Sequence, residues 1–214
     1  APWGMLGARV HGGAPMPAFS LGRPAPQPLP AGQGGIASGP ASAASNAGDI
    51  TFYGKGGHGA SPHRTIDPVL MAARAVVTLQ MIVSREVNPF DPAVVTVGTF
   101  HGGSKRNIIA DEAKLELTVR SYKPEVQKQL LAAIERIAKA EAAASRAPRE
   151  PSVVVIQKEA SEVIFNDPAL SARLMTALRR GLGDSNVAGA EPTTGSEDFG
   201  VFGRAAGVPS VQFR

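Results

Sequence analysis

"AKLELTVRSYKPEVQKQLLAAIERIAKAEAAA", residues 113–144, changes its hydrophobic period in mid-run. Up to Tyr122 apolar and polar residues alternate. Leu115, Leu117 and Val119 fall on one face and Lys114, Glu116, Thr118 and Arg120 on the other, the period of a half-buried strand. From Pro124, which opens a helix well because its missing N–H is not needed there, the apolar residues recur at helical spacing. Val126, Leu130, Ile134, Ile137 and Ala138 form one stripe.

The same alternation of types extends outward on both sides. "DITFYG" (49–54) is a β-rich run stopped by glycine, and "DPVLMAARAVVTLQMIVSR" (67–85) reads as a helix with Asp67 as N-cap and Pro68 at the first helical position. "AVVTVGTF" (93–100) is a buried strand between Pro92 and Gly102-Gly103, and "SVVVIQK" (152–158) is a fourth strand. The order over residues 49–160 is β-α-β-β-α-β, the split arrangement of ferredoxin-like domains. Two helices should then cover one face of a sheet, with Arg120 and its polar neighbours pointing the other way. The fold class expected is α+β.

The flanks have a different texture. Residues 1–48, including "PMPAFSLGRPAPQPLPAGQGGIASGPASAASNAG", are dominated by Pro, Gly, Ala and Ser. Alone they bury too little apolar surface to offset the conformational entropy lost on ordering, so they are either a linker or one piece of a larger domain. After residue 162, "NDPALSARLMTALRRGLG" repeats the Asp-Pro helix start with Asp167. "TTGSEDFGVF" reads as a polar loop and "GVPSVQFR" as a strand. The expected organisation is therefore 1–48 and 163–214 as two parts of one interrupted domain, with 49–162 inserted between them.

Composition narrows the chemistry. The 22 basic and 18 acidic residues leave a charge of +4, without a basic block or aromatic-basic interleaving, which argues against nucleic acid. Zero cysteines exclude disulfides, thiolate catalysis and cysteine metal cages. No uninterrupted apolar run approaches the ~20 residues of a membrane span, and "APWGMLGARV" lacks a signal peptide's pattern. The compartment stays open between cytoplasm and periplasm.

"GKGGHGASPHR" (54–64) admits three readings. A phosphate cradle would need a Gly-x-Gly-x-x-Gly or Gly-Lys-Ser/Thr register opening directly into a helix, which is lacking. A metal site would need about three ligands, and the chain has only His11, His58, His63 and His101 as imidazoles. The third reading is a tight glycine turn presenting His58 as a hydrogen-bond donor to a developing oxyanion, against the plainer one of a surface histidine in a turn.

"GKGGHGASPHRTIDPV", "DPAVVTVGTFHGGSKRNIIADEAKLELTVRSY" and "TTGSEDFG", in that order, resemble the hippurate-hydrolase and auxin-conjugate-amidohydrolase branch of the aminoacylase and carboxypeptidase G metallopeptidase family. The resemblance implies a ferredoxin-like lid inserted into an α/β catalytic domain that binds two divalent ions, zinc or manganese, and cleaves N-acyl amino acids. It also implies a homodimer through the lid. By motif, His58 would reach the neighbouring subunit's site and stabilise the tetrahedral intermediate. Asn107 and Arg120 would contact the substrate, Arg120 through paired hydrogen bonds to a carboxylate. Ser196, Glu197 and Asp198 of "GSEDF" would line the site; His63 and His101 would pack turns. The ligand positions of the family fall before Ala1, after Arg214, or on Arg23 and Pro24. The resemblance therefore implies a chain that holds no metal itself and is inactive alone, a fragment flanked by catalytic-domain remnants. The competing reading is a non-catalytic dimerisation module.

Overall fold

A computed structural model describes residues 20–22 and 32–214; His11, Arg23 and Pro24 lie outside the described residues. The chain divides into two compact units, Ser45–Ala160 and the segments flanking it.

The central unit contains β1 (Ala44–Tyr53), α1 (Pro68–Met81), β2 (Ala93–Gly102), β3 (Glu112–Ser121), α2 (Pro124–Ala144) and β4 (Ser152–Ser161), in the expected order. The sheet runs β2-β3-β1-β4, so the two strands that start and restart the unit lie side by side in the middle. Leu115, Leu117 and Val119 are buried, as their alternation requires, beside Ile50 and Phe52 of β1. Met71, Ala72, Ala75 and Leu79 of α1 and Val126, Leu130, Ile134, Ile137 and Ala138 of α2 complete one core. Asp67 caps α1, its Oδ1 accepting from Val69 N at 2.9 Å and Leu70 N at 3.3 Å. A π-helical turn, Ile82–Glu86, continues α1. Pro68–Glu86 together, 19 residues of mean hydropathy 1.2, are long and apolar enough to cross a membrane by that measure alone. One side of the segment belongs to the core, which accounts for much of its apolar character.

β2 and β3 pair antiparallel with a register slip between Val97 and Thr99. Before it Val94 faces Arg120 and Thr96 faces Thr118; after it Thr99 faces Glu116 and His101 faces Lys114. The extra residue lets even and then odd positions of β2 share the face of the even positions of β3. That bulge was invisible in "AVVTVGTF".

Two expectations need correction. β1 begins at Ala44 rather than Asp49. Its first residues, Ala-Ser-Asn-Ala-Gly, have poor strand propensity, but this strand lies between two others, and sheet context outweighs that propensity. Gly48 fits because a Cβ there would sit 3.1 Å from Val154 O on β4. The segment expected as a loop, 193–202, ends in a helix, α4 (Gly200–Ala206, following α3, Pro168–Leu182), stopped by Gly207 at φ 63°.

In the flanking unit, Gly34–Ile36 pairs parallel with Val187–Gly189, and Gly39–Ser42 pairs antiparallel with Ile164–Asn166. Ser20–Gly22 pairs parallel with Ser210–Gln212. The polar side chain of Asn166 is fully buried and stitches these strands together. Its Nδ2 donates to Ala37 O at 2.7 Å and Gln212 O at 2.8 Å, while Oδ1 accepts from Gln212 N at 2.7 Å. Ile36, Leu170 and Val211 form the apolar centre under α3.

Candidate functional site

His58 lies in a short antiparallel pair, Gly57–His58 against Ile108–Ile109, between the first β1-α1 loop and the β2-β3 hairpin. The pairing continues past it, with Gly59 N donating to Asn107 O at 2.8 Å. Lys55 and Ile66 close the loop base with reciprocal backbone bonds of 2.8 and 3.0 Å. A Cβ on Gly57 would lie 2.8 Å from Thr65 Cγ2, so a side chain there would have to displace Thr65.

The ring of His58 is oriented by its own turn. Its Nδ1 accepts from Ala60 N at 3.1 Å, while Ser61 N donates to His58 O at 2.9 Å. An Nδ1 that accepts carries no proton, so the neutral ring holds its hydrogen on Nε2. The imidazole is exposed, and Nε2–H is the donor it presents. This is the tautomer that an oxyanion donor needs.

The structure brings Asn107 beside His58 through the backbone. Arg120 sits half-buried on β3, on the sheet face away from the helices. That face carries a charged group around Lys114, whose Nζ lies 2.8 Å from Asp49 Oδ2 and 2.9 Å from Glu116 Oε1. Thr99 Oγ1 donates to Glu116 at 3.0 Å. The bond to Asp49 first, and then that to Glu116, pushes the Lys114 ammonium above its ordinary range. Lys114 and then Thr99 hold the Glu116 carboxyl below its own. Glu116 is thus engaged by Lys114 and Thr99.

His63 lies in the 3-10 turn Pro62–Arg64 and His101 near the end of β2 opposite Lys114, both exposed. Ser196, Glu197 and Asp198 belong to the flanking unit, in the turn that precedes α4. That turn is fastened through Thr193, whose N donates to Ala41 O at 3.0 Å and whose O accepts from Ala43 N at 3.1 Å. Burial, followed by the neighbouring Asp198 charge, raises the Glu197 carboxyl. Among the described residues no three His, Asp or Glu side chains gather closely enough to hold a metal ion. The donor set of these residues does not fit a metal centre.

The central unit is thus a two-layer α+β domain that presents an exposed imidazole on an outlying hairpin. Residues 43–146 match the peptidase dimerisation domain model of the M20 type. These residues belong to the M20 peptidase family, as its dimerisation domain. The chain is 34% identical over 177 residues to an IAA-amino acid hydrolase of Arabidopsis thaliana, covering 83% of this chain and 40% of that protein. A solved aminohydrolase from methicillin-resistant Staphylococcus aureus superposes with TM-score 0.74 at 27% identity, covering 91% of this chain and 49% of that one. A dinuclear metal binding peptidase of Bacillus subtilis superposes with TM-score 0.67 at 24% identity, covering 91% and 46%, and shows the same fold. The chain spans less than half the length of the curated relatives it matches.

Proposed function

We propose that residues 45–160 are the lid and dimerisation domain of a metal-dependent hydrolase acting on N-acyl amino acids. His58 supplies Nε2–H to the oxyanion formed in a neighbouring subunit's site, and Asn107 and Arg120 orient the substrate. Ser196 and Glu197 are further substrate-contacting residues on the strength of their motif alone. The observation that carries this reading is the bond from Ala60 N to His58 Nδ1, which assigns the neutral ring's proton to Nε2, on a hairpin closed by paired backbone. An ordinary surface histidine has no need of either. The electrophile would be two divalent ions held by residues outside the described set. By itself the 214-residue chain, supplied with zinc or manganese, should release no amino acid from a hippurate-type substrate. Turnover above the metal-only blank would overturn that. In a protein joining these residues to the further length its relatives have, His58→Ala should lower kcat by about 10²–10³-fold with KM little changed, the loss typical of one oxyanion donor. An unchanged kcat would favour the plain dimerisation module.

The homodimer has its own support. Among the outward positions of α1, Leu70, Val77 and Met81 remain 60%, 71% and 52% exposed, and Arg74 is its sole charged residue. The outward positions of α2, in the same layer, carry Glu125, Lys128, Glu135, Arg136 and Lys139. One helix is dressed for water and the other is not. Light scattering should give twice the 22.1 kDa chain mass. Val77→Lys should restore the single mass. A wild-type chain that stays monomeric at high concentration sinks the dimer.

A further inference from the structure

We propose that Asp111 is a positioning residue for His58, acting as a clasp on the glycine loop; the functional weight of this rests on the donor reading of His58 given above. Asp111 grips the loop twice. Its backbone O accepts from Gly54 N at 2.7 Å, and its side-chain Oδ1 accepts from Gly56 N at 2.8 Å. Beyond that point the loop is paired with Ile109, Ile108 and Asn107 in succession, through Gly57, His58 and Gly59.

The side chain does what a strand cannot. The backbone carbonyl of Asp111 is already used by Gly54, so the next inward-facing donor, Gly56 N, has no main-chain acceptor at that level. The carboxylate supplies one and carries the ladder without a gap from Gly54 to Gly59. The fit is close: a Cβ on Gly56 would lie 2.9 Å from Asp111 Oδ1 and 2.8 Å from Ile109 O. Glycine at 56 and aspartate at 111 are therefore one device. His58 is two residues from the clasp, and the Ala60 N–H that fixes its ring is two residues further. If the loop frays at Gly56, the turn 58–61 keeps only the anchors at Gly57–Gly59, and the Ala60 donor to Nδ1 is held less firmly. Asp111 touches no reacting atom in this arrangement. Its effect is to hold the imidazole in one tautomer and one place.

The test uses the intact 214-residue chain, labelled with nitrogen-15, at a pH where His58 is neutral. Long-range proton–nitrogen correlation of the ring reports the tautomer, and amide exchange reports Gly56. Wild type should show Nε2–H alone. Asp111→Ala should give a tautomer mixture and exchange at Gly56 about tenfold faster, the worth of one charge-assisted bond. Asp111→Asn keeps the placed oxygen and should retain both wild-type signatures. Asp111→Glu keeps the charge but displaces it, and should lose both. This last pair decides the matter even if the alanine variant fails to fold. Unchanged His58 and Gly56 signals in Asp111→Ala would overturn the clasp, as would wild-type behaviour in Asp111→Glu with loss in Asp111→Asn. Nδ1–H in the wild type would instead sink the donor reading of His58, and Gly56 protection would still decide whether the clasp exists.

Discussion

Replacing Arg74 should destabilise the central unit more than replacing the buried acid it binds. Glu141 joins the two helices from α2, with its side chain 9% exposed. Its Oε2 accepts from Arg74 Nε and its Oε1 from Thr78 Oγ1, each at 2.8 Å. A charge-assisted bond is worth about 1.5–3 kcal/mol net when shielded. Arg74 is 58% exposed, so its share is discounted toward about 1–2 kcal/mol. In Arg74→Met the carboxylate keeps only the Thr78 hydroxyl, and losing a buried charge's partner leaves its desolvation uncompensated. The expected cost is about 2 kcal/mol. In Glu141→Met the cavity stays filled, Arg74 turns to water and the Thr78 hydroxyl turns its one proton from the lost carboxylate to Arg74 O, 3.0 Å away, so the cost should be under about 1 kcal/mol. Hydrogen exchange across Pro68–Met81 and Pro124–Ala144 reads this unit by itself. The slowest amides should accelerate more than tenfold in Arg74→Met and less than about fivefold in Glu141→Met. The reverse order would refute the assignment of desolvation as the dominant cost.

Three further outcomes follow from single contacts. Leu130→Ala, at a fully buried position, should cost about 2–5 kcal/mol and show as a lower urea midpoint for loss of α2 exchange protection. Gly54→Ala places a methyl against Ile66 O and 2.5 Å from Pro68 Cδ, so slow exchange in the 54–66 loop should disappear at a cost of about 3 kcal/mol or more. Glu197 has a carboxyl raised by burial and by Asp198, so the folded state binds its proton more tightly than the unfolded chain does. Stability of the flanking unit should therefore fall as pH rises from the ordinary glutamate range through the raised value. Glu197→Gln should flatten that slope, and an unaltered pH profile would remove Glu197 from the account.

The order of elements and the composition of the central core were legible in residues 49–160 because each segment shows one period and meets one core. Leu115, Leu117 and Val119 had to share a face, and so did Val126, Leu130 and Ile134, whatever the partner. His58, Asn107 and Arg120 were found through motifs, which mark positions without showing what holds them. Only the tertiary structure set His58 against Ile108 and revealed Asp111 beneath Gly56, since these contacts join residues about fifty apart in sequence, and only the turn geometry it fixed assigned the His58 proton to Nε2. The same is true of Ala44–Gly48, a strand by virtue of its neighbours, and of Asn166, whose buried amide serves strands from both ends of the chain. Periodicity is a local property that a chain carries into any environment. Hydrogen-bond partners between distant segments exist only once the fold has brought the donors and acceptors together.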